Sequence, residues 1–420
     1  MTGHADRAHA QWSASSSAAN FACPGRLRMV ASVDVPEKES EAAAWGTAAH
    51  EVAEDCLRNG REAAEWIGRF VTTKQHRIEV DEEVAECAQV YVDYVRRLAS
   101  GPGVLLQIEQ RFSLAALNPP FEAGGTGDAV LALPIMKALE VVDLKGGRGV
   151  VVEAKGNPQL RTYALGALLA SPGLAVEHVT VTIVQPRAPH PDGRIRSETF
   201  HVADLLDWTT DLLAAMRAAR HAWAEYDRIA PAGGADLWGL AYLIPGNHCR
   251  FCPAAGMCPA LARKAEAEAK IWFKDESGEQ KRNTPDRLVP EEIARILDHA
   301  DLIQDHLNAV RAYAHAQAEK GVAIPGYVLV EKRGREAWCD GTDDEVVAAC
   351  EFAGLDEAKY RNPGKLRTPK QVREALKKVG FEAPAGWSAV PSAGTSLVAA
   401  DKTTREAVPS MAQRFFTTQD

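Results

Sequence analysis

The spacing of the cysteines limits the possible folds of this chain more than any other feature of its sequence. Cys249, Cys252 and Cys258 lie in one Gly- and Pro-rich segment in a C-x2-C-x5-C pattern, and Cys23 lies far upstream. A proline directly follows three of these four cysteines. If one metal group binds all four thiolates, more than half of the 420 residues form a closed loop between the two ligand segments.

Four thiolates can bind zinc or a [4Fe–4S] cluster. Zinc sites usually combine two short spacings, whereas a trio plus one remote cysteine fits a cluster that ties the first segment of a domain to its last. The sequence does not begin with a basic and apolar secretion signal, which disfavours disulfides. We therefore expect a [4Fe–4S] cluster, with zinc as the alternative, and we expect the other cysteines to be buried thiols. The expected cluster ligands are Cys23, Cys249, Cys252 and Cys258, and the other thiols are Cys56, Cys87, Cys339 and Cys350.

Composition and charge narrow the class of protein. The chain is 46% hydrophobic and 25% charged, which is typical of a globular protein long enough for two domains. A net charge of −9 argues against a protein whose whole surface coats nucleic acid, but a DNA enzyme with a local basic lining remains compatible with it. Basic residues concentrate at 365–378, where a solvated helix face and a phosphate-binding surface are both possible. No apolar run approaches about 18 residues, so we expect no membrane span.

Hydrophobic periodicity predicts helices and strands in a mixed order. The Gly-, Pro- and Cys-rich segment 244–259 is expected to lack regular structure. Helices are predicted at 41–58, 81–99, 158–170, 203–228, 290–319, 343–353 and 368–379. Strands are predicted at 104–112, 127–133, 139–144, 149–154, 177–185 and 326–332, the first four in a mostly antiparallel meander.

Changes in composition along the chain predict its domains. The polar residues 1–20 are expected to be flexible, and 21–274 to form one domain closed by the cysteines. A polar linker is expected at 275–289, followed by a small α-rich domain at 290–385. Residues 386–420 lack periodicity and are expected to form a flexible tail.

Acidic residues at the ends of two predicted strands carry the densest chemical signal. Asp128 begins one strand, and Asp143 and Lys145 close the next in the order Asp-Leu-Lys. Because side chains alternate along a strand, Asp143 and Lys145 project from one face, and Asp128 can lie beside Asp143 if the strands pair. Two carboxylates suit Mg²⁺ or Mn²⁺, and the ammonium can stabilise a pentacovalent phosphate. An isolated Asp-x-Lys is also a common solvated surface pair.

Four further residues are candidates for the same site. Glu109, in a preceding strand, can supply a third carboxylate or be an exposed strand residue. His50 lies on a predicted helix and can complete a metal site, cap the helix or belong to the core. Gln159 and Tyr163 are four apart on one helix face, which suits contact with a phosphate or a base edge, or a buried Tyr of an amphipathic helix.

Together these residues resemble the RecB-like branch of the PD-(D/E)xK nucleases. The cysteine arrangement resembles the iron–sulfur nucleases typified by AddB and by the RecB-like nucleases of CRISPR adaptation. The segment DLKGGRGVVVEAKGNPQLRTYALGAL is similar to an uncharacterised family common in bacteriophages and prophages, as are SASSSAANFACPGRLRM and WGTAAHEVAE. The resemblance covers residues 12–262 and extends toward 400. The matching residues are His50, Glu109, Asp128, Asp143-Leu144-Lys145, Gln159 and Tyr163.

The resemblance implies an α/β fold with a restriction-endonuclease-like core, a mixed central sheet flanked by helices, and a mostly helical C-terminal appendage. It implies a Mg²⁺- or Mn²⁺-dependent nuclease, exonucleolytic on DNA ends or single strands, in the cytoplasm of a bacterial host. Phage recombination or replication proteins are the implied partners. Absence of a Walker A pattern means that the chain carries no motor of its own. The implied metal ligands are His50, Asp128 and Asp143, the implied catalytic residues Asp128, Asp143, Lys145 and Glu109, and the implied substrate contacts Gln159 and Tyr163.

The alternative function is a DNA-end-binding accessory protein with little or no cleavage. An intact set of two aspartates and a lysine favours the enzyme, because a protein that only binds DNA does not need all three. A third possibility is a structural protein held together by zinc.

Overall fold

A computed structural model describes residues 10–33, 39–148, 150–273, 289–333, 337–339, 341–362, 365–390, 392–400, 403 and 405–415. The chain forms two compact units, Met1–Ala309 and Val310–Asp420. Among the described residues, no helix is both long and apolar enough to cross a membrane.

The first unit is built on a six-stranded mixed sheet. The strands of the unit, in chain order, are β1 (Trp12–Ser13), β2 (Phe70–Thr72), β3 (Arg77–Glu79), β4 (Leu105–Ser113), β5 (Ala123–Leu133), β6 (Ala138–Leu144), β7 (His178–Val184) and β8 (Ile195–His201), and all except β2 and β3 belong to this sheet. β2 and β3 form a separate pair. In the sheet, β5 pairs antiparallel with β4 and β6, β6 pairs parallel with β7, and β7 pairs antiparallel with β8. β1 adds to β5 in parallel.

Helices cover both faces of this sheet. The helices that begin in the first unit are α1 (Ser17–Ala22), α2 (Arg26–Ala31), α3 (Glu41–Asn59), α4 (Glu82–Ala99), α5 (Pro158–Ala170), α6 (Val202–Ile229), α7 (Ala235–Tyr242), α8 (Pro259–Phe273) and α9 (Pro290–Glu319), whose last part belongs to the second unit. Alternate side chains of the strands pack into two cores, one with α5 and α6 and the other with α3 and α4. The predicted mixed α/β architecture, a central mixed sheet flanked by helices, is therefore confirmed.

One predicted strand is wrong. The described residues of 149–154 form an irregular loop, although their Val-rich sequence matches a strand. The side chain of Gln185 takes the backbone hydrogen bonds that a neighbouring strand would otherwise make: it accepts from Val152 N (3.0 Å) and donates to Val150 O (2.8 Å). The apolar run therefore has no partner strand, and both Val150 and Val151 are exposed.

The N-terminal segment is also more ordered than predicted. Residues 12–20 belong to β1 and the helical turns after it, whereas residues 1–9 lie outside the described residues. Trp12 is completely buried; its backbone N–H donates to Glu122 O, and its indole N–H donates to Ser17 Oγ. Burial of one large aromatic side chain outweighs the polarity of the serines around it.

The second unit combines helices with two-stranded antiparallel pairs. Its elements are β9 (Tyr327–Arg333), β10 (Ala337–Trp338), α10 (Asp343–Phe352), α11 (Glu357–Tyr360), β11 (Arg361–Asn362), β12 (Lys365–Leu366), α12 (Pro369–Lys378), β13 (Ser388–Ala389), β14 (Ser392–Ala399) and α13 (Met411–Phe415). Apolar residues from α10, α11 and α12 pack with Trp387 in a core of their own. The expected linker at 275–289 lies almost entirely outside the described residues.

The expectation that 386–420 lacks regular structure is wrong for the described part of this segment. β14 pairs antiparallel with β9 over most of its length. Its backbone hydrogen bonds go to a strand about 60 residues away in the sequence, so periodicity within the segment itself gives little sign of them.

Candidate active site

Pairing of β5 with β6 brings the two aspartates of the predicted motif together. The register Ala129↔Val142 places Asp128 and Asp143 at opposed positions just beyond this pair. Asp128 Oδ2 accepts a hydrogen bond from Leu144 N at 2.8 Å, and both aspartates are buried. The expected juxtaposition of the carboxylates is therefore present.

His50 and Glu109 approach Asp128 from two other elements. His50, in the middle of α3, places Nδ1 3.4 Å from Asp128 Oδ2. Glu109, in β4, offers a carboxylate oxygen, and one ligand atom from each of these three residues lies within 4.8 Å of the others. One imidazole nitrogen and two carboxylates form a donor set that suits Mn²⁺ or Mg²⁺.

The backbone of Glu109 has a conformation that is unusual within a strand. Its φ is 52°, in the left-handed region. Residues on either side keep the β4–β5 register, Ile108↔Ala129 and Gln110↔Gly127, whereas Glu109 and Asp128 do not pair. For a residue other than glycine this conformation costs about 1–2 kcal/mol, so the surrounding strands must hold it in place.

Lys145, Gln159 and Tyr163 form a hydrogen-bonded network around Asp143. Lys145 Nζ lies 2.8 Å from Asp143 Oδ2 and donates to Gln159 Oε1. Gln159 Nε2 donates to Asp143 Oδ1 at 3.2 Å and to the Tyr163 hydroxyl at 3.0 Å. Asn157 caps the start of α5 and thereby fixes the position of Gln159. The residues predicted for the nuclease site, from three strands and two helices, therefore surround Asp128 and Asp143.

Burial and neighbouring charges together shift the pKa values of His50, Asp128 and Asp143. Burial lowers the pKa of His50, but the charges of Asp128 and Glu109 outweigh this effect and raise it to about 9. Burial opposes ionisation of Asp128, yet the charge of His50 lowers its pKa to about 2. Burial raises the pKa of Asp143 against the opposing charge of Lys145. Protonated His50 thus supplies positive charge that a divalent cation would supply when bound.

Sequence reasoning missed Tyr91. This residue of α4 is 2% exposed, and it lines a small pocket with His50, Glu109 and Asp128. Its hydroxyl is buried and has no hydrogen-bond partner among the described residues. A buried hydroxyl without a partner costs about 1–3 kcal/mol, so a ligand in this pocket can gain from it. In the sequence Tyr91 is indistinguishable from other apolar positions of an amphipathic helix.

Two other missed residues hold the loop that follows Lys145. The Gln185 amide, which is almost completely buried, donates to Gly147 O and Val150 O. Arg187 donates to Gly146 O at 2.8 Å, and its guanidinium stacks 3.5 Å from the ring centre of Trp45 in α3. A Cβ at Gly146 would lie 2.9 Å from the Trp45 ring, so only glycine fits this close approach.

The four cysteines expected to share one metal group line one cavity. Cys23 joins Cys249, Cys252 and Cys258 there, beside the apolar side chains of Met29, Leu243 and Leu261. Backbone N–H groups point at two of the sulfurs, Ile244 N at Cys23 Sγ and Gly246 N at Cys249 Sγ. Such donors stabilise thiolate ligands. The convergence of the remote cysteine with the trio is as predicted.

The local structure around these cysteines explains their convergence. Short helical turns, Asn247–Cys249 and Ala255–Met257, interrupt the expected irregular segment and present its cysteines. Gly25 N donates to Tyr242 O, which joins the segment after Cys23 to the end of α7. Burial raises the pKa of the Cys23 thiol to about 11, and the neighbouring thiols add to this. Bound metal would offset that cost by its positive charge. Of the remaining cysteines, Cys56, Cys87 and Cys350 are buried as expected, and Cys339 is half-buried.

The family described as protein of unknown function, DUF2800, matches residues 9–405. The match covers nearly the whole chain, which therefore belongs to this family.

Proposed function

We propose that this protein is a divalent-metal-dependent DNA nuclease of the RecB-like type, built on a restriction-endonuclease-like core. Its substrates are DNA ends or single strands, in phage or prophage recombination, replication or repair. The observation that carries the proposal is the convergence of His50, Glu109 and Asp128 within 4.8 Å, beside the Asp143–Lys145 pair.

The donor set fits a hard divalent cation. His50, Glu109 and Asp128 would hold it, with Asp143 on the adjacent strand. When bound, such a cation supplies positive charge that polarises a phosphodiester. Asp143 Oδ2 is buried and lies 2.8 Å from the Lys145 ammonium, so the ion pair holds this second carboxylate beside the proposed cation site.

The chain's own residues have separate roles in this mechanism. The Lys145 ammonium stabilises the negative charge that develops on the phosphate. Gln159 holds the side chains of Lys145 and Asp143 in position, since its amide hydrogen-bonds to both. Tyr163 fixes the orientation of that amide by accepting its second N–H. Because these side chains are pre-arranged, little reorganisation is needed when the substrate arrives.

The four converging cysteines favour a [4Fe–4S] cluster over zinc in this proposal. Sulfur ligands of a single zinc lie roughly 3.8 Å apart, given tetrahedral geometry and Zn–S bonds of about 2.3 Å. Among the described residues, the thiols form no group of three ligand atoms within 4.8 Å. A wider arrangement suits a cluster in which each cysteine binds a different iron. Its role would be structural, because it joins the segment between α1 and α2 to the segment after α7.

End-labelled DNA distinguishes this enzyme from a DNA-end-binding protein. Anaerobically purified protein would be incubated with single- and double-stranded DNA in Mg²⁺, Mn²⁺ or EDTA, with Asp128→Ala purified in parallel to control for contaminating nucleases. We expect metal-dependent cleavage by the wild type alone. If both proteins bind DNA equally and neither cleaves it with either metal, the nuclease proposal is wrong and the binding function replaces it.

A further inference from the structure

Positive charge is concentrated in one segment of the second unit. Residues 359–378 contain eight Lys or Arg and one acidic residue, Glu374, in a chain with a net charge of −9. The segment runs from the end of α11 through the β11–β12 hairpin to the end of α12. This local excess opposes the charge of the rest of the chain.

α12 presents this charge on a firmly held helix. The backbone N–H and the hydroxyl of its cap residue, Thr368, both donate to Gln371 Oε1, and Pro369 occupies the first turn. Val372 and Leu376 are completely buried against the core of the second unit, and this packing fixes which side of the helix faces outward. A fixed backbone is the property that a recognition surface requires.

The outward side of α12 carries three lysines, with Glu374 as the one acidic residue of the helix. Lys370, Lys377 and Lys378 are exposed, and none of them forms an ion pair within the described part of the chain. Lys370 and Lys377 are seven residues apart and therefore lie on one line along the helix, about 10 Å apart along its axis. That row of ammonium groups is free to contact successive phosphates.

Arg367 adds a second observation just before the helix. Its backbone is fixed, since its N–H donates to Tyr360 O and its carbonyl accepts from the Trp338 indole at 2.9 Å. The Nε of its guanidinium is buried and has no hydrogen-bond partner among the described residues. No ion pair joins this guanidinium to a described carboxylate, and Arg367 is only partly buried, so the accessible part of the group is available to a phosphate oxygen.

We propose that Arg367, Lys370, Lys377 and Lys378 form a DNA-backbone surface of the second unit. The choice of DNA among polyanions rests on the proposed function, because the same chain then acts on that polymer. The surface binds phosphates irrespective of base sequence. It raises the affinity of the protein for DNA, and chemistry at the first unit does not require it.

Salt dependence of DNA binding tests this surface without any cleavage. Fluorescence anisotropy of a labelled duplex would be measured on the full-length protein in EDTA, over a series of salt concentrations. The test variant is Lys370→Glu/Lys377→Glu/Lys378→Glu. A matched control, Lys74→Glu/Arg217→Glu/Arg220→Glu, changes the net charge equally at exposed positions of the first unit. A further variant, Glu374→Gln, removes the negative charge of the segment and should therefore strengthen DNA binding.

We expect only substitutions in the proposed DNA-backbone surface to weaken DNA binding. The test variant should bind at least about tenfold more weakly, and its slope of log K against log salt should fall by about 2–3, because three phosphate contacts are lost. The control should keep the wild-type slope, and Glu374→Gln should bind more tightly. Equal losses in both triple variants would overturn the proposal, as would binding to anionic lipid vesicles that depends on these lysines while DNA binding does not. Because no step requires cleavage, failure here is distinguishable from failure of the proposed nuclease.

Discussion

Glu109 and Asp128 lie at opposed positions in β4 and β5, but the left-handed backbone of Glu109 prevents the two residues from pairing as their neighbours do. The carboxylates are instead brought together with His50. Strained backbone at a cluster of potential ligands is typical of functional sites, where the surrounding structure holds an unfavourable conformation because the side chain must be aimed.

The strain at Glu109 predicts that two substitutions differ in their effect on stability but not in their effect on activity. Glu109→Gly should be more stable than Glu109→Ala by about 1 kcal/mol, because glycine adopts a φ of 52° without steric cost. Both variants should lose metal-dependent cleavage, since both lack the carboxylate. Urea melts of the two proteins in EDTA, followed by cleavage assays, measure each effect. A Glu109→Gly protein less stable than Glu109→Ala would show that the backbone is not strained.

The substitution Tyr91→Phe tests whether the Tyr91 hydroxyl contributes to cleavage or whether the ring only packs beside His50 and Asp128. The substitution removes only a hydroxyl that is buried without a partner, so the melting temperature in EDTA should stay the same or rise. Cleavage should slow by about tenfold if the hydroxyl donates to a ligand in the pocket. Normal turnover with a raised melting temperature would mean that Tyr91 only packs. Leu212→Val, at a buried position of α6 in the other core of the first unit, controls for general loosening.

Cys23→Ser tests the metal group that would join the two ends of the first unit. We expect loss of the brown chromophore and of most bound iron, and a large loss of stability. By analogy with a disulfide closing a loop of this length, the entropic part is about 5 kcal/mol. Iron and acid-labile sulfide would be assayed after anaerobic purification, with the half-buried Cys339→Ser as the control. Stoichiometric zinc in the wild type would establish the zinc alternative, and normal iron in Cys23→Ser would remove this residue from the ligand set.

Truncation after residue 275 removes the second unit together with the first part of α9, and it tests whether both are dispensable for chemistry. The shortened protein should remain soluble and keep its turnover at saturating DNA, because every residue of the candidate active site lies between His50 and Tyr163. The exposed Arg250–Asp305 contact at 3.9 Å, which is lost, contributes little. A rise in KM without a fall in kcat is the expected signature. A soluble truncated protein without any cleavage at high DNA concentration would contradict it.

The sequence predicted those parts of the site that depend on strand alternation and on spacing. Asp128 and Asp143 lie together because adjacent strands of a meander pair, and this follows from local hydrophobic patterns. Gln159 and Tyr163 share a hydrogen bond because they are one helical turn apart. Convergence of Cys23 with three distant cysteines could be predicted because metal ligation constrains residues irrespective of their separation.

Features that depend on tertiary context could not be predicted. The Val-rich residues 149–154 have no partner strand because Gln185 takes their hydrogen bonds, and nothing in the local sequence indicates this. Burial of Trp12 orders a segment whose composition is that of a flexible terminus. The positive φ of Glu109 and the unpartnered hydroxyl of Tyr91 arise only where several elements meet. These last features lie at the candidate site, where local sequence rules most often fail.

The most direct test of the account is the rate at which Asp143→Ala and Lys145→Ala cleave end-labelled DNA in Mg²⁺ and in Mn²⁺. Both should be slower than the wild type by at least about a hundredfold to a thousandfold. Their fold should persist, although Asp143→Ala should melt lower than the wild type in EDTA, because it leaves the Lys145 ammonium without its carboxylate and the Gln159 amide without an acceptor. Wild-type rates for Asp143→Ala with both metals would contradict the assignment of this active site.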